Sequence, residues 1–221
     1  MTYCYFNCWH RPGQARETLA NIELTKIIED MRSFKRSKYV SNKYVLYGHS
    51  RGAELALILA SKIDKENSPK AVIVHAPSHI YTGIYSAEWK STKCWICKKE
   101  NNECKTKELR WNYKCGNVSP NKIFKHPDWK IKSAWNFNKV NIPQNQRIEI
   151  EKYSNPILIT HGEKDKVWSV ERTKKIEKTL KDANHSPEVH YFKNAGHTFY
   201  KEDEWKRRSL IINFLIKNLK K

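Results

Sequence analysis

Gly48-His49-Ser50-Arg51-Gly52 constrains this chain more than any other stretch. It lies between a short β-prone run, Lys43-Tyr44-Val45-Leu46-Tyr47, and a nearly all-apolar helix former, Ala53-Glu54-Leu55-Ala56-Leu57-Ile58-Leu59-Ala60. The second run suits a helix buried on most sides. A strand that turns straight into a helix crowds its own backbone, so the positions two residues either side of the serine must be small. Gly48 and Gly52 meet that need, and the turn pushes the Ser50 hydroxyl out over the helix N-terminus. The five-residue pattern alone is weak. A strand before it and a buried helix after it make it specific.

A serine hydroxyl is a poor nucleophile at neutral pH and needs a base, which in turn needs an orienting acid. One chain order that a serine on such a turn uses is Ser, then Asp or Glu, then His, with acid and base on loops after later strands. Pro156-Ile157-Leu158-Ile159-Thr160-His161 is a β-branched run closed by Gly162-Glu163-Lys164-Asp165-Lys166-Val167-Trp168. Asp165 is therefore expected just past a strand's carboxyl end, where the sites of parallel sheets gather. Glu188-Val189-His190-Tyr191-Phe192 is the next strand, and Asn194-Ala195-Gly196-His197-Thr198-Phe199 puts His197 on the corresponding loop one unit later. The competing reading makes Asp165 a turn cap and His197 a surface residue. Three residue types in the right order and place favour a Ser50-Asp165-His197 triad.

On these residues the chain resembles a known family. Gly48-His49-Ser50-Arg51-Gly52-Ala53-Glu54-Leu55-Ala56-Leu57, Ala71-Val72-Ile73-Val74 with Ala76-Pro77-Ser78-His79, the 162–168 loop and Ala195-Gly196-His197 look like the C-terminal domain of the acyl-CoA thioester hydrolases and bile acid-CoA:amino acid N-acyltransferases, bacterial branch. The likeness spans most of the chain except roughly 86–145. It implies an α/β hydrolase that cleaves or transfers acyl groups from coenzyme A thioesters, with Ser50 as nucleophile, Asp165 as acid and His197 as base. Animal conjugating members carry cysteine at the nucleophile position. Serine here favours hydrolysis over amide-forming transfer.

Two departures from that pattern matter. One strand candidate, Thr2-Tyr3-Cys4-Tyr5-Phe6, and one helix, roughly 17–34 with Leu24, Ile27, Ile28 and Met31 on its apolar face, precede Ser50. The resemblance aligns that strand with the one after the oxyanion loop, so the loop is expected to be absent, as in a shortened gene product. The backbone amide of Arg51 is then the oxyanion donor, with His10-Arg11-Pro12-Gly13 a weak stand-in for the second. Losing one such donor costs on the order of 10²–10³ in turnover. An open sheet edge would also invite pairing or aggregation.

The second departure is roughly 80–150, a lid-like insertion within a single domain spanning 1–221. It carries Trp89, Trp95, Trp111, Trp129 and Trp135 of the eight tryptophans and Cys94, Cys97, Cys104 and Cys115 of the six cysteines. Aromatic residues offer a lid its apolar walls, or else give a glycine-poor insertion a small core of its own. One C-x2-C pair suits half of a structural zinc site, with His126 an alternative ligand. The other half lacks paired spacing, and reduced thiols are the competing expectation. No cofactor is otherwise called for. Cys4 and Cys8 have no evident partners.

Alternating strands and helices specify a doubly wound, mostly parallel sheet covered on both faces, the α/β class. Val170, Thr173, Ile176 and Leu180 form one apolar stripe; Trp205, Ile212, Leu215, Ile216 and Leu219 form another on the terminal helix. No signal peptide or membrane span is evident, so a cytoplasmic location is expected. A formal net charge of +19 would attract polyanions such as coenzyme A phosphates. Lysine enrichment runs along the whole chain, however, so nucleic acid is not the expected partner; the oligomeric state is open. Among the other histidines, His79 (or His75) is expected to line the pocket together with Trp168. His161 is expected to hydrogen-bond a loop carbonyl, and His49 to point away from the Ser50 hydroxyl. No glycine-rich phosphate loop and no H-E-x-x-H motif occurs. The sequence thus reads as a serine hydrolase of an ester or thioester, first of all an acyl-CoA thioester. The rivals are a general carboxylesterase or small serine peptidase, and an inactive shortened hydrolase serving as a basic binding module.

Overall fold

Among the described residues, the strands Ala71–His75 and Ile157–Gly162 are buried along their whole length, and both are near-continuous apolar runs. Such runs belong to parallel strands covered on both faces. The computed structural model describes residues 22–36, 43–83 and 132–219 with their side chains, and the backbone alone of short strands at 17–19, 85–87, 93–100, 103–111 and 123–125. In chain order the elements are β1 (Glu17–Leu19), β2 (Ile22–Glu23), α1 (Leu24–Lys35), β3 (Val45–His49), α2 (Arg51–Lys62), β4 (Ala71–His75), β5 (Tyr85–Ala87) and β6 (Lys93–Glu100). There follow β7 (Glu103–Trp111), β8 (Ile123–Lys125), β9 (Lys132–Phe137), β10 (Val140–Pro143), β11 (Ile157–Gly162), α3 (Glu171–Asp182), β12 (Glu188–Phe192) and α4 (Lys201–Leu219).

The central sheet runs β12-β11-β4-β3 with every pairing parallel. Alternation along each strand divides the core in two. Val72, Val74, Ile157 and Ile159 face α1, α2 and α3, while Ala71, Ile73 and Leu158 face Phe214 of α4. Parallel pairing sets all the strand carboxyl ends, and the loops after them, on one edge. Ser50, Asp165 and His197 all lie there.

The helix expected over 17–34 begins only at Leu24. Ile22 and Glu23 instead pair in parallel with Trp135 and Asn136 of β9, and the Glu23 carboxylate caps the helix by accepting from the Thr25 amide at 3.2 Å. Long-range pairing outweighs local helix propensity there. Leu24, Ile28 and Met31 are buried as the helical spacing requires. β9 and β10 form a hairpin that completes the β10-β9-β2 sheet. Trp135, Ile142, Ile148 and Ile150 are core residues. Tyr81 and the segment 132–150 are therefore part of the core, and Trp135 is fully buried there.

The terminal helix corrects a second expectation. Phe214 is its buried residue, flanked by Ile211 and Leu215, whereas Trp205, Ile212 and Ile216 are exposed. Apolar residues lie on two faces of α4, so periodicity alone could not tell which faces the sheet. On α3 the expected residues Thr173, Ile176 and Leu180 are indeed the buried ones.

Candidate active site

Ser50 joins β3 to α2 with φ 55° and ψ −121°, a backbone conformation that L-residues with a side chain rarely adopt. Three hydrogen bonds hold it. Its amide donates to the His75 carbonyl at 2.9 Å, and its carbonyl accepts from the Ala53 and Glu54 amides at 2.9 and 3.1 Å. The turn is so tight that a Cβ on Gly48 would lie 2.2 Å from the Gly52 carbonyl oxygen. The expectation for Gly52 itself is not met, because a Cβ there would have nothing within 4 Å. Only one of the two glycines is required by crowding.

At the end of β11 a similar close approach brings the Asp165 and His197 loops together. A Cβ on Gly162 would sit 2.3 Å from the Gly196 carbonyl and 2.4 Å from that of Ala195. The Lys164 amide donates to Ala195 O at 2.9 Å, and the Asp165 amide to Gly162 O at 3.0 Å. Asp165 is buried, and both its oxygens are engaged. Oδ1 accepts from the Val167 and Trp168 amides at 2.7 and 2.8 Å. Oδ2 accepts from His197 Nδ1 at 2.7 Å and lies 3.2 Å from His161 Nε2. Burial by itself would raise its pKa, yet the hydrogen bonds from His161, His197 and the Trp168 amide hold the carboxyl well below the usual range. An ionised carboxylate can only accept, so His197 Nδ1 is the donor in this pair.

Two further histidines hold the His197 backbone. His49 Nε2 and His75 Nε2 both lie 3.1 Å from the His197 carbonyl oxygen, which can only accept, so both nitrogens donate. His75 Nδ1 in turn accepts from the Thr160 hydroxyl at 3.0 Å. Burial, with the neighbouring His49, pushes the His75 pKa down to about 3; burial lowers that of His49 as well. His49, immediately before Ser50, thus ties that turn directly to the His197 loop. His161 behaves as expected, with Nε2 donating to the Trp168 carbonyl at 2.9 Å and Nδ1 accepting from Thr173 Oγ1 at 2.7 Å.

The structure brings Asp165 and His197 into contact and sets the Ser50 turn beside them through His49. Among the described residues the Ser50 hydroxyl makes no hydrogen bond to His197; such bonds tighten when substrate binds. Trp168 is buried and packs edge-on against the His197 ring, centroids 6.4 Å apart. The Arg172 guanidinium lies over Trp168 at 5.6 Å and donates to Ser78 Oγ at 2.7 Å. His79 is half-buried on the adjacent loop, and burial beside Lys175 and Arg172 lowers its pKa to about 4.

Sequence reasoning missed the role of Glu54. It is fully buried and accepts from the Thr82 amide, the Thr82 hydroxyl and the Trp135 indole at 2.7, 2.6 and 2.6 Å. The signal was present as one acid inside the apolar run Ala53–Ala60. Cys94, Cys97 and Cys104 fall on the β6–β7 hairpin, but their side chains lie outside the described residues, as do Cys4, Cys8, Cys115, His126, Trp89, Trp129 and the 2–6 and 10–13 stretches. Among the described residues no cluster of three metal-ligating side chains occurs, and no helix is long and apolar enough to cross a membrane.

Residues 28–201 match the family described as BAAT / Acyl-CoA thioester hydrolase C terminal. No curated protein sequence matches the chain. Among solved structures, Porphyromonas gingivalis dipeptidyl peptidase 4 is similar with a TM-score of 0.54 and 16% identity, over 88% of this chain and 22% of that one. Est1E from Butyrivibrio proteoclasticus gives 0.52 and 17%, over 90% of this chain and 70% of its own. Pyrococcus horikoshii acylaminoacyl peptidase gives 0.52 and 13%, over 87% and 27%. This chain thus spans only about a quarter of either peptidase, and at such identities the likeness concerns the fold alone.

Proposed function

The chain belongs to the BAAT / acyl-CoA thioester hydrolase C-terminal family of α/β hydrolases, and from that premise we propose that it is a serine hydrolase acting on an acyl thioester. The observation that carries this reading is the 2.7 Å pair of Asp165 and His197 beside a serine held at φ 55°. Asp165 fixes the tautomer in which His197 Nε2 can take a proton. Ser50 Oγ attacks the acyl carbonyl carbon as its proton passes to Nε2. The negative charge that develops on the carbonyl oxygen is met by the backbone amide of Arg51, the first residue of α2, at the positive end of the helix dipole. Collapse forms the Ser50 acyl ester and breaks the carbon–sulfur bond, and His197 returns the proton to the departing thiolate. Water, deprotonated by Nε2, then attacks the acyl ester, and the released proton restores Ser50.

Coenzyme A thioesters are the substrate class that the family name favours, and the cationic surface suits their phosphates. Trp168 packs against the His197 ring and His79 follows β4 at the same edge of the sheet, where an acyl chain or leaving group would pass. A carboxylesterase or peptidase activity is the alternative, favoured by the likeness of the fold to Est1E and the two peptidases.

The test is labelling of the purified chain with a fluorophosphonate, with Ser50→Ala and His197→Ala as controls. Labelling that is lost in both variants is the expected result. Folded wild-type protein that does not label overturns the reading and leaves a basic binding module. Comparing acyl-CoA, aryl ester and peptide substrates on the labelled form then separates thioesterase from esterase and peptidase.

A further inference from the structure

The Glu54 and Arg51 side chains lie in the first turn of α2, close to Ser50, and the catalytic cycle above leaves both without a task. Glu54 is fully buried on an apolar helix, and every polar contact it makes is with a donor: Thr82 N at 2.7 Å, Thr82 Oγ1 at 2.6 Å, Trp135 Nε1 at 2.6 Å and Arg51 NH1 at 3.2 Å. The Arg51 guanidinium donates to the Thr82 carbonyl at 3.3 Å, to the Thr82 hydroxyl and to the Gly83 carbonyl at 2.7 Å. It also lies over the Trp135 ring at 5.6 Å.

These partners share one property. Thr82 and Gly83 immediately precede 84–131 in the chain, and Ser133, Ala134 and Trp135 follow it. The two flanks are joined directly, by Ala134 N to Thr82 O at 3.1 Å and by the Gly83–Ser133 bridge. The first turn of α2 is thereby pinned at Arg51 and Glu54 to both flanks at once.

We propose that the side chains of Arg51 and Glu54 are positioning residues for the reaction at Ser50, binding both flanks of 84–131 to the first turn of α2 and so holding the Arg51 amide where the oxyanion forms. This rests on the serine-hydrolase reading above. A residue at φ 55° persists only where its surroundings over-determine it, and the turn at Ser50 passes directly into the pinned residues. A buried ion pair adds little net stability over an apolar pair of similar size, since desolvation offsets its attraction. What it supplies is fixed geometry, because the planar guanidinium meets acceptors in set directions. A displacement of about 1 Å at a reacting group costs on the order of 10²-fold in rate. The loss should fall on turnover rather than on substrate binding, since the amide acts on charge that develops only in the transition state.

The experiment compares wild type with Glu54→Gln, Trp135→Phe, Arg51→Ala and Arg51→Lys. Each is checked by circular dichroism to be folded at the assay temperature. The readouts are the fluorophosphonate labelling rate, and kcat and KM on whichever ester or thioester the wild type turns over. Expected are at least tenfold losses in kcat and labelling rate with KM within about twofold, Arg51→Lys recovering part of the Arg51→Ala loss. Should Glu54→Gln not fold, Trp135→Phe, which deletes one N–H donor and keeps an aromatic ring, carries the comparison. Wild-type turnover in the folded variants, or a change confined to KM, overturns the proposal while the serine-hydrolase reading stands. A wild type that neither labels nor turns over substrate overturns both.

Discussion

At Gly48 a single methyl group stands between the observed turn and none at all. Its Cβ would fall 2.2 Å from the Gly52 carbonyl, a backbone atom that cannot swing aside. Gly48→Ala is therefore expected to lose at least about 1–3 kcal/mol of stability together with fluorophosphonate labelling. Gly52→Ala meets nothing within 4 Å and sits in the first turn of a helix, where alanine is preferred by up to about 1 kcal/mol. Its stability should be equal or higher. Urea unfolding of the two variants side by side checks both, and equal losses would contradict the geometry. Asp165 supports a second expectation. In Asp165→Asn the amide oxygen can still accept from Val167 and Trp168, but its NH2 would then face His197. That forces Nδ1 to accept and moves the imidazole proton to Nε2, where it blocks deprotonation of Ser50. Turnover should fall by on the order of 10⁴-fold with the fold intact, measured as kcat against the far-ultraviolet spectrum.

The β9–β10 hairpin is closed by Asn138 and Lys139, both at positive φ, 51° and 64°. Two positive-φ residues between paired strands match a type I′ turn, in which Asn-Gly is the favoured pair. Lysine pays a steric penalty there that glycine does not, so Lys139→Gly should raise stability by about 1 kcal/mol, read as a higher urea midpoint at unchanged slope. The Lys139 amide that donates to Glu23 at 3.1 Å survives the change. Sequence legibility followed the same division between local and long-range causes. β4, β11 and α2 were readable because an unbroken apolar run has one outcome, burial on both sides. The places of Asp165 and His197 on loops after β11 and β12 were readable because an apolar strand ends shortly before each. The start of α1 was not, since only pairing with β9, more than a hundred residues on, turns Ile22 and Glu23 into strand. Nor was the inward face of α4, whose Phe214 and Trp205 lie on different sides of one helix. Glu54 stood in plain view, but its partners Thr82 and Trp135 come from either side of 84–131, and no local pattern joins them.

Across the molecule, acid should act first through buried histidines rather than through carboxylates. His75 uses both ring nitrogens while neutral, donating to His197 O and accepting from Thr160 Oγ1. A second proton would abolish the Thr160 bond and bring charge beside His49, whose ring centroid is 4.7 Å away. Burial above all, with His49 beside it, holds the folded-state pKa at about 3, against about 6.5 for a histidine in an unfolded chain. Between those values the unfolded chain holds a proton that the folded one lacks, so stability falls as pH drops from about 6.5 toward 3. The slope approaches about 1.4 kcal/mol per pH unit for this one group. His79, lowered to about 4, acts with the same sign over a shorter span. Asp165 reinforces both only below about pH 4, where the unfolded carboxylate protonates before the folded one. Urea midpoints at pH 7, 6 and 5 should therefore decline already in the histidine range, and His75→Gln should flatten that decline by close to one proton. The net charge of +19 offers a competing cause, since self-repulsion also grows as acid adds charge. Salt tells them apart. Raising ionic strength screens repulsion among exposed lysines, whereas a proton excluded from a buried ring is excluded at any salt concentration. A decline that vanishes in 0.5 M salt would assign it to surface charge; one that persists there and flattens in His75→Gln belongs to the ring that holds the base loop in place.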